Sequence, residues 1–563
     1  MNAVSKTPLV FFLVITALSS LLFFFRLGDR SFRNPDEGRY AEIAREMVAR
    51  NDWVEPRIYG VEYLKKPVLF YWLIAASFKI FGFNELAARL VPALFGVLGV
   101  LATFFFAKKI FDLKTAFYAS LVLSTNFWYL QVGRYLLIDM LFSFLVVSAL
   151  YLFYLGRIEE RRRRIYHLLF YVSVSLAFLA KGVMGIVIPG IAVFLYLAYN
   201  RQFKSVLSTI DLGIGIGIFS LIVLPWLVQI SVREPDFFKI FFLQEHWARL
   251  VSSEFEHQEP WYYYFLVTPV FLVPWVLFPA PFFDSWLSLK NGIKRRAYLF
   301  LCLSAAGLIL FFSLSKAKLP TYVLPSIPLF SIAIGVAWSH WENLFSKRWF
   351  YPASAAVLAV LFFTACAFAL VVPGYASHFG PDLKGVVLDF QWMAASLLIG
   401  CVMGLRAVKR RRIDHIFYAL IFMMVLVSFP VSSAMNEFNK NYTTKPFAEF
   451  LKPRLNQNDL VFIYDHPGPF YDFHFYLGYP VRLVGLKGEL ENSGAGKEGE
   501  DRPGQEKQKS WVTREEFNAL LKKGERLYCL IRKSDFTEMD PALRKNMVIL
   551  KEDNRKILFQ ASS

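Results

Sequence analysis

Thirteen long apolar stretches dominate the sequence. The first, Pro8–Phe25, runs 18 residues without a charge, after Lys6 and before Arg26 and Asp29. The others lie near 86–107, 115–132, 136–156, 166–180, 183–199, 207–230, 261–282, 297–314, 320–339, 350–372, 389–405 and 415–433. About 20 such residues cross a bilayer as a helix, and only helices or closed barrels satisfy their backbone groups there. Composition agrees, with 56% hydrophobic and 19% charged residues and a mean hydropathy of +0.41. A soluble domain carries roughly a quarter charged residues, so an ordinary soluble chain is excluded. A mainly disordered one is excluded too. No small-residue cleavage site follows the first stretch before Arg26, so it reads as a retained anchor.

A shorter apolar run, 67–82, decides the topology. Between Pro67 and Lys79 only about a dozen residues are uncharged, fewer than the ~20 that a span needs. The net charge is +18, from 62 Lys+Arg against 44 Asp+Glu. Suppose the N-terminus is cytoplasmic and 67–82 does not cross. The inside loops then hold Lys108, Lys109 and Lys114, Arg157 and Arg161–Arg164, Arg201 and Lys204, Lys290 and Lys294–Arg296, Lys347 and Arg348, and Arg406 with Lys409–Arg412. That is the positive-inside pattern, and it accounts for the basic charge without nucleic acid. If 67–82 crossed, the basic loops after it would move outside. The sequence therefore predicts a polytopic α-helical membrane protein with about 13 transmembrane helices. The C-terminus lies outside, and 67–82 is a helix lying on the outer membrane surface.

Four outward pieces follow from this topology. In the first loop, 26–85, Tyr40, Ile43, Ala44, Met47 and Val48 recur at helical spacing within 37–50, giving one apolar face. Glu42, Arg45, Glu46 and Arg50 lie on the opposite face. The second piece is 231–260, with Glu245, His246 and Arg249, and the third is 373–388. The fourth is the tail, 434–563, where the composition turns mixed and polar. Strands are predicted at 460–464, 481–484, 527–531 and 547–550, and a helix at 514–523. Together they make a small C-terminal α/β domain after a membrane domain over 1–433. Residues 488–509 read as a disordered insertion. Of the four cysteines, Cys302, Cys366 and Cys401 lie in apolar runs and Cys529 stands alone, with no disulfide or zinc spacing.

Ionisable groups at or inside a bilayer are costly and are functional candidates. Asp139, in Leu136–Phe142, sits at the outer end of a span. It is either a helix-start carboxylate on the dipole or a working group. Asp36 follows Asn34-Pro35 and reads either as the N-cap of the amphipathic helix or as a second carboxylate on the same membrane face. Two such groups supply a general base and a charge-tuning partner. Lys65, Lys66, Lys181, Lys316 and Lys318 all face outward, against the positive-inside trend. Either they snorkel to headgroups, or with Arg249 they hold an anionic ligand such as a lipid phosphate. Gly213, Gly215 and Gly217 mark close helix packing, not a nucleotide loop. No P-loop precedes a helix, and the eight histidines show no zinc spacing.

The strings Asp36–Met47, Tyr63–Pro67, Ile138–Met140, Ala180–Gly182 and Ser315–Tyr322 resemble the 4-amino-4-deoxy-L-arabinose lipid A transferases. Those enzymes group with the protein O-mannosyltransferases among the polytopic C-type glycosyltransferases. The resemblance covers most of residues 1–330. It implies an inner-membrane enzyme with its site on the periplasmic side, a polyprenyl-phosphate sugar donor and an outer-face acceptor. The acceptor would be lipid A, lipopolysaccharide or another envelope glycan. By motif match, Asp36 and Asp139 are the catalytic carboxylates. Arg39, Tyr40 and Tyr63 line the first-loop cavity, Lys66 and Arg249 hold the donor phosphate, and Tyr322 lies near the cavity. Lys181, Lys316 and Lys318 complete the substrate-binding set. Lys65 stands where the aminoarabinose enzymes have Glu. That departure argues against a metal and against a cationic amino sugar, and no cofactor is indicated, a divalent metal being permitted only. The chain is expected to act as a monomer among membrane lipids.

Other readings remain open at this point. Mannose, a hexuronic acid or galactosamine is an alternative sugar, with core oligosaccharide, protein or another glycan as acceptor. A transporter or lipid flippase would place its ionisable groups near mid-membrane on broken helices, whereas here they cluster at one face.

Overall fold

In the computed structural model, residues 7–203, 212–248, 258–278, 289, 292–340, 350–376, 384–485, 490, 510–523, 526–545 and 547–561 are described. They are mostly helical. Eight described helices are long and apolar enough to cross a membrane: Thr7–Phe24, Glu85–Ile110, Ile138–Ile158, Leu212–Arg233, Ile293–Leu314, Phe350–Val371, Gly385–Lys409 and Ile413–Asn439. The chain is a multi-pass helical membrane protein.

Other expected stretches are shorter or broken, for local reasons. The stretch 115–132 forms two helices, Leu113–Thr125 and Phe127–Arg134. Asn126 separates them: its backbone is extended and its side chain accepts from the Tyr129 N–H. Its amide donates to the Phe271 carbonyl at 2.8 Å. An Asn inside an apolar run thus acts as a stop and a start signal. The stretch 261–282 gives the helix Tyr263–Phe271 and a single turn at Trp275–Leu277. Pro274 between them lacks an N–H and restricts the residue before it.

The described chain divides into two compact units. One comprises 1–27, 90–228 and 246–437; the other comprises 28–89, 229–245 and 438–563. The first is built on apolar helices. Its aromatic core includes Trp275, Trp338 and Phe417, with ring centroids 5.2–6.2 Å apart.

The second unit holds a six-stranded sheet in the order 511–512, 482–484, 460–464, 527–532, 556–561, 547–552. Leu460–Tyr464 pairs in parallel with both neighbours. The last three strands are antiparallel, with an irregularity between Ile549 and Lys551. Leu527–Ile531 is buried throughout, as a strand covered on both faces must be. The outermost strand exposes Val548 and Ile549. The expected strands and the helix Arg514–Lys523 are present within a residue or two. Strands 511–512 and 556–561 were not anticipated. Apart from Leu490, the expected insertion at 488–509 lies outside the described residues, as does 377–383 of the third outward loop.

The helix Asp36–Arg50 departs from expectation. Its polar face is only partly solvated: Glu42 and Glu46 are buried, as is Glu37, while Arg45 is half buried and Arg50 exposed. Within the same unit, Glu42 takes both guanidinium nitrogens of Arg45 at 2.7 and 2.9 Å and lies 2.8 Å from His474 Nδ1. Glu46 accepts from the Gly60 N–H at 3.1 Å. Gly60 and Tyr59 have positive φ, 75° and 54°, and link the two-residue strands 57–58 and 61–62. That is the geometry of a tight hairpin turn. Buried carboxylates persist only when they are paired and hydrogen-bonded, and the tail supplies one of those partners.

Gly38 shows how closely these parts meet. A Cβ there would stand 2.2 Å from Asn34 Oδ1 and 2.7 Å from the Asp472 nitrogen. Asn34 donates to Asp472 at 2.5 Å and to the Tyr442 and Pro469 carbonyls, and it accepts from the Asp472 N–H. The fully buried Asp472 also accepts from the Thr443 and Thr444 hydroxyls.

Candidate functional site

Asp36 opens its helix but does not cap it. Pro35 is the N-cap, and no side chain caps the end. The next residue, Glu37, reaches back to the segment before the helix and accepts from the Arg33 N–H at 2.9 Å. Glu37 is also the partner of the fully buried Arg89, through Nε at 2.8 Å and a second guanidinium nitrogen at 2.9 Å. The capping reading of Asp36 is therefore corrected. Its carboxylate is 53% exposed and lies 2.5 Å from the Arg39 guanidinium, one turn on. Arg39 is itself buried, 5.4 Å from the Tyr40 ring and 5.7 Å from the Tyr63 ring. Tyr40 and Tyr63 are buried in turn, so the pair of aromatics fixes the cation that faces Asp36.

Lys66 follows the Tyr63 segment and precedes the helix Leu69–Phe81. Its ammonium lies 3.6 Å from the Glu245 carboxylate, and that of Lys65 lies 3.9 Å away. Glu245 is buried on the segment Lys239–Ala248, whose hydrogen bonds run i to i+5. Arg249 lies outside the described residues. In this second unit the structure brings together Asp36, Arg39, Tyr40 and Tyr63, and separately Lys65, Lys66 and Glu245.

In the first unit, Asp139 is the second residue of the helix Ile138–Ile158, and Lys181 is the last of Arg163–Lys181. Anions suit helix starts and cations suit helix ends. Here the two meet at 2.5 Å, both largely buried. The Lys181 ammonium stands 4.7 Å from the centre of the Tyr322 ring. Tyr322 sits on the turn Pro320–Val323 and leans on Phe312 at 5.0 Å. Asp139, Lys181 and Tyr322 thus form one cluster. Lys318 is buried and directs its ammonium to the Ser315 carbonyl and to the Glu259 carbonyl at 2.8 Å. Lys316 is exposed.

Two further groups gather potential metal ligands among the described residues: Glu42, Glu46 and His474, and Glu55, Glu62 and Glu234. An arginine already lies in each. Arg45 sits on Glu42, and Arg57 lies 2.5 Å from Glu55 and 3.2 Å from Glu62. Burial, with Glu55 and Glu62 beside it, pushes the Glu234 carboxyl up to about 7.

Sequence reasoning missed the roles of Glu37, Arg89 and Glu245. Arg89 could have been noticed as a charge inside an apolar stretch. Nothing in the sequence ties Glu245 to Lys66.

Residues 65–228 match the family model described as dolichyl-phosphate-mannose-protein mannosyltransferase. A similar protein is the undecaprenyl phosphate-alpha-4-amino-4-deoxy-L-arabinose arabinosyl transferase of Yersinia enterocolitica. It is 29% identical over 64% of this chain and 66% of its own length. The protein of the same description from Edwardsiella ictaluri is 32% identical over 55% of this chain and 56% of its own. The sequence matches thus span between about half and two thirds of these relatives. The crystal structure of ArnT from Cupriavidus metallidurans bound to undecaprenyl phosphate superimposes with a TM-score of 0.81. It is 23% identical, over 98% of this chain and 97% of that one. The chain has the fold of ArnT over nearly its whole length, and in sequence it is similar to the undecaprenyl phosphate-aminoarabinose arabinosyl transferases.

Proposed function

We propose that the protein is an inner-membrane glycosyltransferase with 13 spans and an outward-facing site. It moves a sugar from a polyprenyl monophosphate carrier to lipid A or lipopolysaccharide. The observation that carries this reading is the exposure of Asp36. On its helix, Glu37, Arg39, Glu42 and Glu46 are buried and paired, while the Asp36 carboxylate is half exposed beside a fixed guanidinium. A carboxylate left half exposed beside a fixed cation is open to a ligand, whereas its helix neighbours are used by the fold.

The sugar C1–O bond breaks as the acceptor oxygen bonds to C1, and attack from one face inverts that centre. A hydroxyl acceptor gives its proton to a carboxylate. A phosphate acceptor arrives ionised, and the carboxylates then orient it and stabilise positive charge on the sugar. Asp36 and Asp139 are the proposed catalytic groups. Arg39, Tyr40, Tyr63, Lys181, Lys316, Lys318 and Tyr322 are the proposed substrate-binding residues. Lys66 and Arg249 hold the donor phosphate. Lys65, close to Lys66, favours a neutral or acidic sugar over a cationic one by like-charge repulsion.

The test is incubation of purified protein with radiolabelled polyprenyl-phosphate sugars and lipid A or lipopolysaccharide. Label should move to the acceptor for one sugar in the series, with release of polyprenyl phosphate. Failure of every donor with every envelope acceptor overturns the reading.

A further inference from the structure

We infer that Glu245 is a residue of the phosphate site that eases release of the spent carrier. The inference rests on the proposed role of Lys66. Two ammonium groups, of Lys65 and Lys66, gather around the single buried carboxylate of Glu245 at 3.9 and 3.6 Å. These separations exceed a direct hydrogen bond, so across them the carboxylate acts on the lysines through its charge. Phe237, Ile240 and Phe241, on or next to the Glu245 segment, are buried, which holds the carboxylate in place.

The phosphate changes its own charge during the reaction. The donor is a phosphodiester and carries one negative charge. When the acceptor oxygen bonds to the sugar C1, the C1–O electron pair stays with the phosphate. The product is a phosphomonoester with about two negative charges above its second pKa of about 6. A fixed carboxylate repels the dianionic monoester twice as strongly as the monoanionic diester. Glu245 therefore weakens product binding selectively and works against product inhibition. A simple tether for the lysine side chains would not discriminate between the two charge states.

The experiment measures binding of two probes to the full-length protein at pH 8: undecaprenyl phosphate, and its methyl phosphodiester. Removing one negative charge several ångströms away through Glu245→Gln should tighten the diester roughly three-fold and the monoester roughly ten-fold. At pH 5 both probes carry about one charge, so the difference between the two gains should vanish. Glu245→Asp keeps the charge and should keep the parent's ratio, while Glu245→Ala should follow Gln. Equal gains for both probes at pH 8, or weaker binding of both, overturn the inference. Lys66→Gln separates the two levels: it should weaken both probes. If it changes neither, the phosphate-site assignment itself fails, and the role of Glu245 fails with it.

Discussion

The ammonium of Lys181 lies 2.5 Å from a carboxylate oxygen of Asp139 and 4.7 Å from the centre of the Tyr322 ring. Three segments far apart in the chain meet at the ends of two apolar helices. An ion pair in such surroundings is disrupted strongly by removing one partner, because the other charge is left buried.

Asp139→Asn should therefore lower transfer by at least about 100-fold and should also destabilise the protein. Lys181→Gln in the same background should restore part of the stability and none of the activity. Thermal unfolding of the two variants, read beside turnover, checks this. Full activity in the double variant would show the pair to be structural only.

Asp36→Asn should behave differently. The carboxylate caps nothing and is half exposed, so its pair with Arg39 is worth about 0.2–1 kcal/mol. Transfer should fall at least about 100-fold while the melting temperature moves by less than about 2 °C. A large loss of stability with normal turnover of the surviving fold would refute the assignment.

Arg89→Met removes the fully buried partner of Glu37, leaving Arg30 at 3.4 Å and the Arg33 N–H, and should cost about 3 kcal/mol. Adding Glu37→Gln should recover much of that loss. Denaturant unfolding of the detergent-solubilised protein gives the coupling, and additive costs would mean the two groups do not depend on each other.

The Glu42 carboxyl gives a pH dependence with a defined sign. Burial alone raises it, but Arg45 and His474 outweigh burial and hold it at about 2, against an ordinary 4.5. A depressed carboxyl contributes stability above 4.5 and loses it as the pH falls towards 2. Glu46, raised by burial and by Glu42, works in the opposite direction. Stability should thus drop between pH 4.5 and 2, and Glu42→Gln should flatten that limb. An unchanged acid limb in the variant would assign it to other groups.

The 13-span topology predicts labelling sides. In a background lacking Cys302 and Cys366, a cysteine at Asn84 should react with an impermeant reagent from outside. Cysteines at Lys109 and Arg161 should react only from inside. Outside labelling at Lys109 would turn every later loop over.

The helices of this fold were readable because apolar length is a strong signal, and Asp139, Lys181 and Tyr322 because charge and motif mark them. The break at Asn126 was missed because one polar residue barely alters an apolar run, although it redirects the backbone. The burial of Glu42 and Glu46 was missed for a deeper reason. Helical periodicity separates polar from apolar faces but does not say whether water or protein covers the polar one. His474 does so partly, from more than 400 positions further on. Glu245 was hidden likewise: its partners are defined only by the tertiary fold.

Gly38, pressed against Asp472, has a consequence for how the molecule is made. The helix that carries Asp36 leaves the ribosome early, and the segment that completes its surroundings begins about 390 residues later. At about 5–20 residues per second, the early helix waits roughly 20 s to more than a minute with Glu42 lacking His474 and Asn34 lacking Asp472. A chain stalled before Asp472 would therefore carry the entire Asp36–Met47 motif without the shape that motif needs.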